Sequence, residues 1–165
     1  MNRPDFTEVA ERHLDSVFRY VLLLTGDRAL AEDLTAEAFE KALRSWRRYD
    51  PRRGGPAAWL CAIARTTALD HFRAEERRRR REERFALENL QPAAEPLDPS
   101  FTPELDEALR LLSAGEREVL ALRIVLDLDA DSTARVLGIT PTACSTRLSR
   151  ALHKLEERME SHVVT

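Results

Sequence analysis

Residues 130–155 read ADSTARVLGITPTACSTRLSRALHKL, two helical patterns separated by Leu137-Gly138-Ile139-Thr140-Pro141. Gly138 can take the left-handed conformation that ends a helix. Thr140 followed by Pro141 starts the next one, because proline at the first helical position gives up no hydrogen bond. The spacing predicts a short helix over 130–137 and a longer one to about Met159, with Cys144, Leu148, Ala151 and Leu155 on its buried side. The outward side carries Thr142, Ser145, Thr146 and Ser149, flanked by Arg147, Arg150 and Lys154, with no acid until Glu156. Short hydroxyls and arginines on an exposed helix suit the base edges and phosphates of a duplex major groove. The same residues also suit the ordinary solvated face of a helical hairpin.

Working upstream, Ser113-Ala114-Gly115-Glu116 fits a capping box, in which serine and glutamate each satisfy a free backbone donor. The helix it opens carries Val119, Leu120, Leu122 and Arg123. Thr102-Pro103 reads as another helix start. Before it, Gln91 to Pro103 holds four prolines with little helical period, which reads as an irregular linker. The chain thus divides into a first domain over 1–89, a flexible linker over 90–100 and a second domain over 101–165. The fold class expected is all-α: two small helical domains joined by that linker, the C-terminal one a helix-turn-helix.

In the first domain Leu14, Val17, Phe18, Val21 and Leu22 recur at i, i+3, i+4, i+7 and i+8, the mark of a helix with one buried face. Thr25-Gly26-Asp27 ends it. A second helix from about Ala29 to Arg48 places Leu34, Ala38, Phe39, Ala42, Leu43 and Trp46 on a broad apolar stripe. Tyr49-Asp50-Pro51 and Gly54-Gly55-Pro56 then form a loop. A third helix begins near Ala57, with Leu60, Ile63, Ala64, Thr67 and His71 inward. Trp59, Thr66, Asp70 and Arg73 share its outward line, at i, i+7, i+11 and i+14. An exposed tryptophan beside a cationic tract suits an unpaired nucleic-acid strand, which stacks on the ring while cations follow the backbone. Trp59 equally suits a place in the core, and Arg77 to Arg81 with their neighbouring glutamates equally suit a solvated helix end.

The formal charge is -3, so the chain does not coat nucleic acid through excess positive charge. The charge is uneven instead. Residues 51–84 are rich in arginine, whereas from Phe85 to Leu112 only Arg110 opposes six acids. Different segments therefore suit different partners. Cys61 and Cys144 stand far apart in apolar helical patterns, which argues against a disulfide framework or zinc site. His13, His71, His153 and His162 are scattered, and no Gly-rich phosphate loop or nucleophile motif occurs. Asp33 and Glu37 lie one turn apart, and on an exposed helix they read as a protein-contact face rather than an acid/base pair. The expectation is a protein with no catalytic residue, metal or cofactor. With no apolar run of membrane-spanning length and no signal-peptide core, the expected location is the cytoplasm, without membrane insertion.

Ala31 to Phe39 followed by Trp46 resembles the polymerase-binding helix of sigma factors. Trp59 to Arg65 followed by Ala68 to Arg73 is similar to their promoter-melting helix. Leu112 to Leu120, Leu137-Gly138-Ile139 and Arg147 to Ala151 resemble their C-terminal domain. The order is the family's across nearly the whole chain, and the lack of room for more domains points to the extracytoplasmic-function type. The resemblance implies that the chain directs core RNA polymerase to promoters and promotes initiation of transcription. It implies polymerase contact through Asp33, Glu37, Phe39, Arg44 and Trp46, and contact with the melted -10 element through Trp59, Arg65, Thr66, Asp70 and Arg73. It assigns the duplex -35 element to Thr142, Ser145, Thr146, Arg147, Ser149, Arg150 and Lys154. Partners implied are core polymerase, promoter DNA and an anti-sigma protein, and the acidic linker would thread toward the polymerase active site.

Ala36, Thr66, Ala143 and Ser145 stand where the family commonly has other residues, and Ala130 and Thr133 make the first helix of the helix-turn-helix less apolar than usual. These departures bear on the promoter sequence and on the stability of the second domain. The rival readings are a conventional helix-turn-helix regulator acting on operator duplex without polymerase, and a sigma-like protein-interaction module.

Overall fold

A computed structural model of the chain describes residues 3–82 and 96–163. Every regular element among them is helical. Helix α1, Phe6–Thr25, ends at Gly26, whose φ of 65° is left-handed and whose amide donates to the Leu22 carbonyl at 2.8 Å. Asp27 caps α2, Arg28–Ser45, by accepting from the Leu30 amide at 3.1 Å. Short 3₁₀ turns at Trp46–Arg48 and Pro51–Arg53 lead to α3, Pro56–Glu82. The three helices enclose Val17 and Val21 of α1, Leu34, Ala38 and Ala42 of α2, and Leu60, Cys61, Ala64 and Ala68 of α3. The alanines are what let α2 and α3 lie close together.

The second domain follows its capping signals. Thr102 accepts from the Leu105 amide at 3.3 Å to start α4, Pro103–Arg110. Ser113 and Glu116 form the capping box of α5, Ala114–Leu120, with bonds of 3.1 and 3.0 Å. Gly138, at φ 66°, ends α6, Ala130–Leu137. Thr140 Oγ1 then accepts from the Ala143 amide at 3.1 Å at the head of α7, Pro141–Val163. Two features lie outside the expectations drawn from the sequence. A π-helical turn, Ala121–Val125, continues α5, and Asp129 caps α6 through the Ser132 amide at 2.7 Å.

The buried stripe of α1 differs from the expected one. Leu14 is 48% exposed, because the face that packs on α2 and α3 is centred on Val17 and Val21. Toward its C-terminus α1 is instead buried nearly all round, at Tyr20, Val21, Leu22 and Leu23, because α5 and the π-helical turn pack on the side that faces away from α2 and α3. Leu43, expected on the stripe of α2, is 58% exposed. Helix α6 in turn packs on α3, so the two domains share one continuous apolar core.

The expected linker lies partly outside the described residues, at 90–95. Its end is anchored. Leu97 is fully buried, 3.6 Å from where a Cβ on Gly26 would stand, and its amide donates to Asp106 Oδ1 at 2.5 Å. Asp98 accepts from the Ser100 amide and hydroxyl and faces Arg19 at 3.6 Å. Burial works against its charge, but the Ser100 bonds and Arg19 hold its carboxyl below the usual range.

Cys61 and Cys144 are free and buried, and burial pushes the Cys61 thiol up to about 12. Thr133, one of the less apolar positions of α6, is fully buried, and its hydroxyl has no hydrogen-bond partner among the described residues. In urea unfolding, Leu97→Ala should cost about 2–5 kcal/mol as a large-to-small core change. Thr133→Val should stabilise by about 1 kcal/mol, because it removes a buried group that lacks a partner.

Candidate nucleic-acid interface

The start of α5 and the outer side of α7 enclose a shallow groove of about 540 Å³, whose lining includes Ser113, Glu116, Thr142, Thr146, Arg147 and Arg150. Four residues expected to read duplex DNA thus come together. Ser145 and Ser149 are exposed on the same helix outside the groove. Lys154 reaches Glu116 Oε1 at 2.6 Å. The Lys154 bond first, and the Ser113 amide second, hold the Glu116 carboxyl below its usual value. Gly115 makes room for Arg147: a Cβ there would stand 3.3 Å from Arg147 Nη1. Ser113 and Glu116 belong to the capping motif in the sequence, and only the packing of α5 on α7 adds them to the groove.

Across the first domain, α3 presents Thr66, Asp70 and Arg73 to solvent, with Asp70 and Arg73 paired at 3.6 Å. Thr66 Oγ1 donates to the Ala62 carbonyl at 3.0 Å. Trp59 is half-buried. It packs edge-on against Trp46 at 5.6 Å and tilted against Tyr49 at 5.5 Å, while Tyr49 stacks on Trp46 at 4.8 Å. Trp59 also borders a cavity of about 190 Å³ that includes Tyr49, Arg53, Gly54 and, from α6, Ser132 and Arg135. Arg65 turns away from the outward line and donates from Nε to Glu118 of α5 at 2.6 Å. In the arginine tract Arg78 pairs with Glu75 and Glu82, and Arg80 with Glu76, one helical turn apart.

On α2, Asp33, Glu37 and Arg44 are exposed, Glu37 pairing with Lys41 at 2.8 Å and Arg44 with Glu40 at 2.5 Å. Phe39 and Trp46 are half-buried and pack against the core, so they fix the helix that displays the charges. Among the described residues no three His, Cys, Asp or Glu side chains are grouped to hold a metal, and no helix is long and apolar enough to cross a membrane.

Sigma-70 region 2 matches residues 9–78, and sigma-70 region 4 matches residues 103–155. The ECF RNA polymerase sigma factor BldN of Streptomyces coelicolor is 32% identical over 162 residues, covering 91% of this chain and 58% of BldN. The RNA polymerase sigma factor CarQ of Myxococcus xanthus is 31% identical over 156 residues, covering 92% of this chain and 87% of CarQ. The chain belongs to the RNA polymerase sigma factors. In fold the sigma factor is similar to RpoE of Bartonella quintana, solved with the anti-sigma factor NepR, at a TM-score of 0.79 and 22% identity over 94% of this chain and 97% of RpoE.

Within this sigma factor the exposed faces of α2 and α3 fall inside the region 2 match, and the groove on α7 falls inside the region 4 match. What these faces offer among the described residues is hydrogen-bond donors, hydroxyls and one partly shielded aromatic.

The lowered Glu116 carboxyl has a consequence for pH. A carboxylate held below its unfolded value contributes stability above that value and loses it as pH falls through the lowered one. Thermal melts from pH 7 down through the carboxylate range should therefore show the gap between the parent protein and Glu116→Gln closing at the acid end, while at neutral pH it stays constant.

Proposed function

We propose that this sigma factor directs core RNA polymerase to specific promoters and promotes initiation, acting by binding energy and without catalytic residues of its own. The observation that carries the reading is the two sigma-70 regions, in order, each with an exposed polar face. Asp33, Glu37 and Arg44 on α2, with Phe39 and Trp46 behind them, contact the polymerase. Trp59, Arg65, Thr66, Asp70 and Arg73 hold the melted -10 strand. Stacking on one face of Trp59 and ion pairing to phosphates stabilise the unpaired strand and so shift the equilibrium of duplex opening. Thr142, Ser145, Thr146, Arg147, Ser149, Arg150 and Lys154 read the -35 element as duplex, where an arginine can grip guanine through two bonds. The domains lie at 1–89 and 101–165, with 90–100 as the linker. Action on polymerase places the chain in the cytoplasm, and an anti-sigma protein that covers these faces would silence it.

The test is run-off transcription with purified core enzyme. A promoter-specific transcript that depends on the chain is expected. Specific duplex binding by the free chain, unimproved by polymerase and yielding no transcript, would overturn the reading in favour of a conventional regulator. Within the assay, Arg147→Ala or Arg150→Ala should cost about 1–3 kcal/mol at the upstream element if the contact is a bidentate one to guanine. A pre-melted bubble template should be used nearly as well as by the parent. Charge reversal at Asp33 and Glu37 should reduce co-purification with core enzyme at unchanged helical content. Trp59→Ala should lose about 1–3 kcal/mol in strand opening, read by permanganate footprinting.

A further inference from the structure

Within the apolar core that the two domains share, one carboxylate oxygen takes donors from two helices of the first domain. Tyr20 is fully buried and its hydroxyl donates to Glu118 Oε1 at 2.6 Å. Arg65 Nε donates to the same oxygen at 2.6 Å. That oxygen therefore ties α1 and α3 of the first domain to α5 of the second. Burial first, and the Glu118 charge second, push the Tyr20 hydroxyl well above its ordinary value, so it remains a donor. Around this centre Arg117 Nη1 donates to the Leu23 carbonyl at 3.4 Å, and Arg135 of α6 donates to the backbone carbonyl of Arg53.

The polar part of this contact adds little to closure while it is intact, and its loss is costly. The Coulomb gain of a buried ion pair is largely offset by the cost of taking both charges out of water, so such a pair adds little net stability. Removing one partner is a different matter, because it strands the other in a poorly solvated place. The closed arrangement thus depends on Glu118 out of proportion to what the pair contributes.

What the contact covers matters as much. Arg65 belongs to the set assigned above to the melted strand, and in the closed form its side chain is 27% exposed and engaged by Glu118. A backbone phosphate and a carboxylate ask the same of a guanidinium: charge-assisted bonds to an oxyanion. One can replace the other. Ser132 and Arg135 of α6 also wall the cavity beside Trp59.

We propose that Glu118 is the keystone of a self-masking contact: it holds the two domains closed by occupying Arg65 and Tyr20, and an unpaired strand competes with it for Arg65. The competition rests on the promoter-melting role given to α3, whereas the closure rests only on the contacts between the domains.

The test uses the full chain, labelled for energy transfer at Glu11→Cys on α1 and Glu156→Cys on α7. Both positions are exposed, and the buried Cys61 and Cys144 escape labelling. One dominant short-distance population is expected in the parent. Glu118→Gln should enlarge a long-distance population, and Tyr20→Phe, which removes a single hydroxyl and keeps the ring in place, should do so with its helical content intact. Affinity for a mixed-sequence single-stranded DNA oligonucleotide, read by anisotropy at one fixed low salt concentration, should rise about tenfold if the open form is about a tenth of the parent population. Unchanged distances in both folded variants overturn the closure. Longer distances with unchanged oligonucleotide affinity overturn the competition. Loss of core-dependent transcription from the parent protein would instead overturn the sigma-factor reading, and the distances would still report on Glu118.

Discussion

A carboxylate that leaves water at the edge of a domain must find donors inside the protein, and Glu118 finds both of those described here on the opposite domain, at Tyr20 and Arg65. The constraint acts inside a larger apolar contact, in which α5 packs on α1 and α6 on α3 and residues 20–23 of α1 are buried. The π-helical turn Ala121–Val125 lies within this contact, packed on α1 directly after the helix that carries Glu118. Leu97, anchored between Gly26 and Asp106, closes the same seam from the side of the connection.

Two kinds of surface result, and they differ in how their side chains are held. The groove on α7 is preformed: Glu116 anchors Lys154, and Gly115 leaves space for the Arg147 guanidinium. The α3 surface is only partly so. Trp59 has one side locked in an aromatic cluster with Trp46 and Tyr49, which fixes its ring, and its free edge borders a cavity walled in part by α6. Rigid support behind a binding residue lowers the ordering cost of the contact it makes. Under the proposed function the first surface would meet a duplex that arrives formed, and the second a strand that must be held as it separates.

Under the proposed function both surfaces act by binding and leave the chemistry to the polymerase. Short hydroxyls, arginines and a shielded tryptophan act through the free energy of binding, and several weak contacts on two linked domains add up only when both are engaged at once. On that proposal the spacing between the domains carries functional weight. A closed arrangement and one that spans two separated promoter elements place the same side chains at different distances.

The sequence by itself determined what local physics controls. Caps and breakers are interactions between neighbours, so Thr102, Ser113 with Glu116, Gly138 and Thr140 mark helix ends wherever those helices pack, and the approximate range of α6 was legible. The outward residues of α7 were legible too, because a helical period assigns faces. Leu14, Leu43, Leu97 and Tyr20 were not. Which side of α1 a second domain covers, and which linker residue it buries, depends on contacts between residues far apart in the chain, and helical periodicity carries no term for them. Arg65 shows the difference most plainly: its residue type and place on α3 made it a candidate for nucleic acid, whereas its pairing with a carboxylate 53 positions away is a fact of tertiary structure alone.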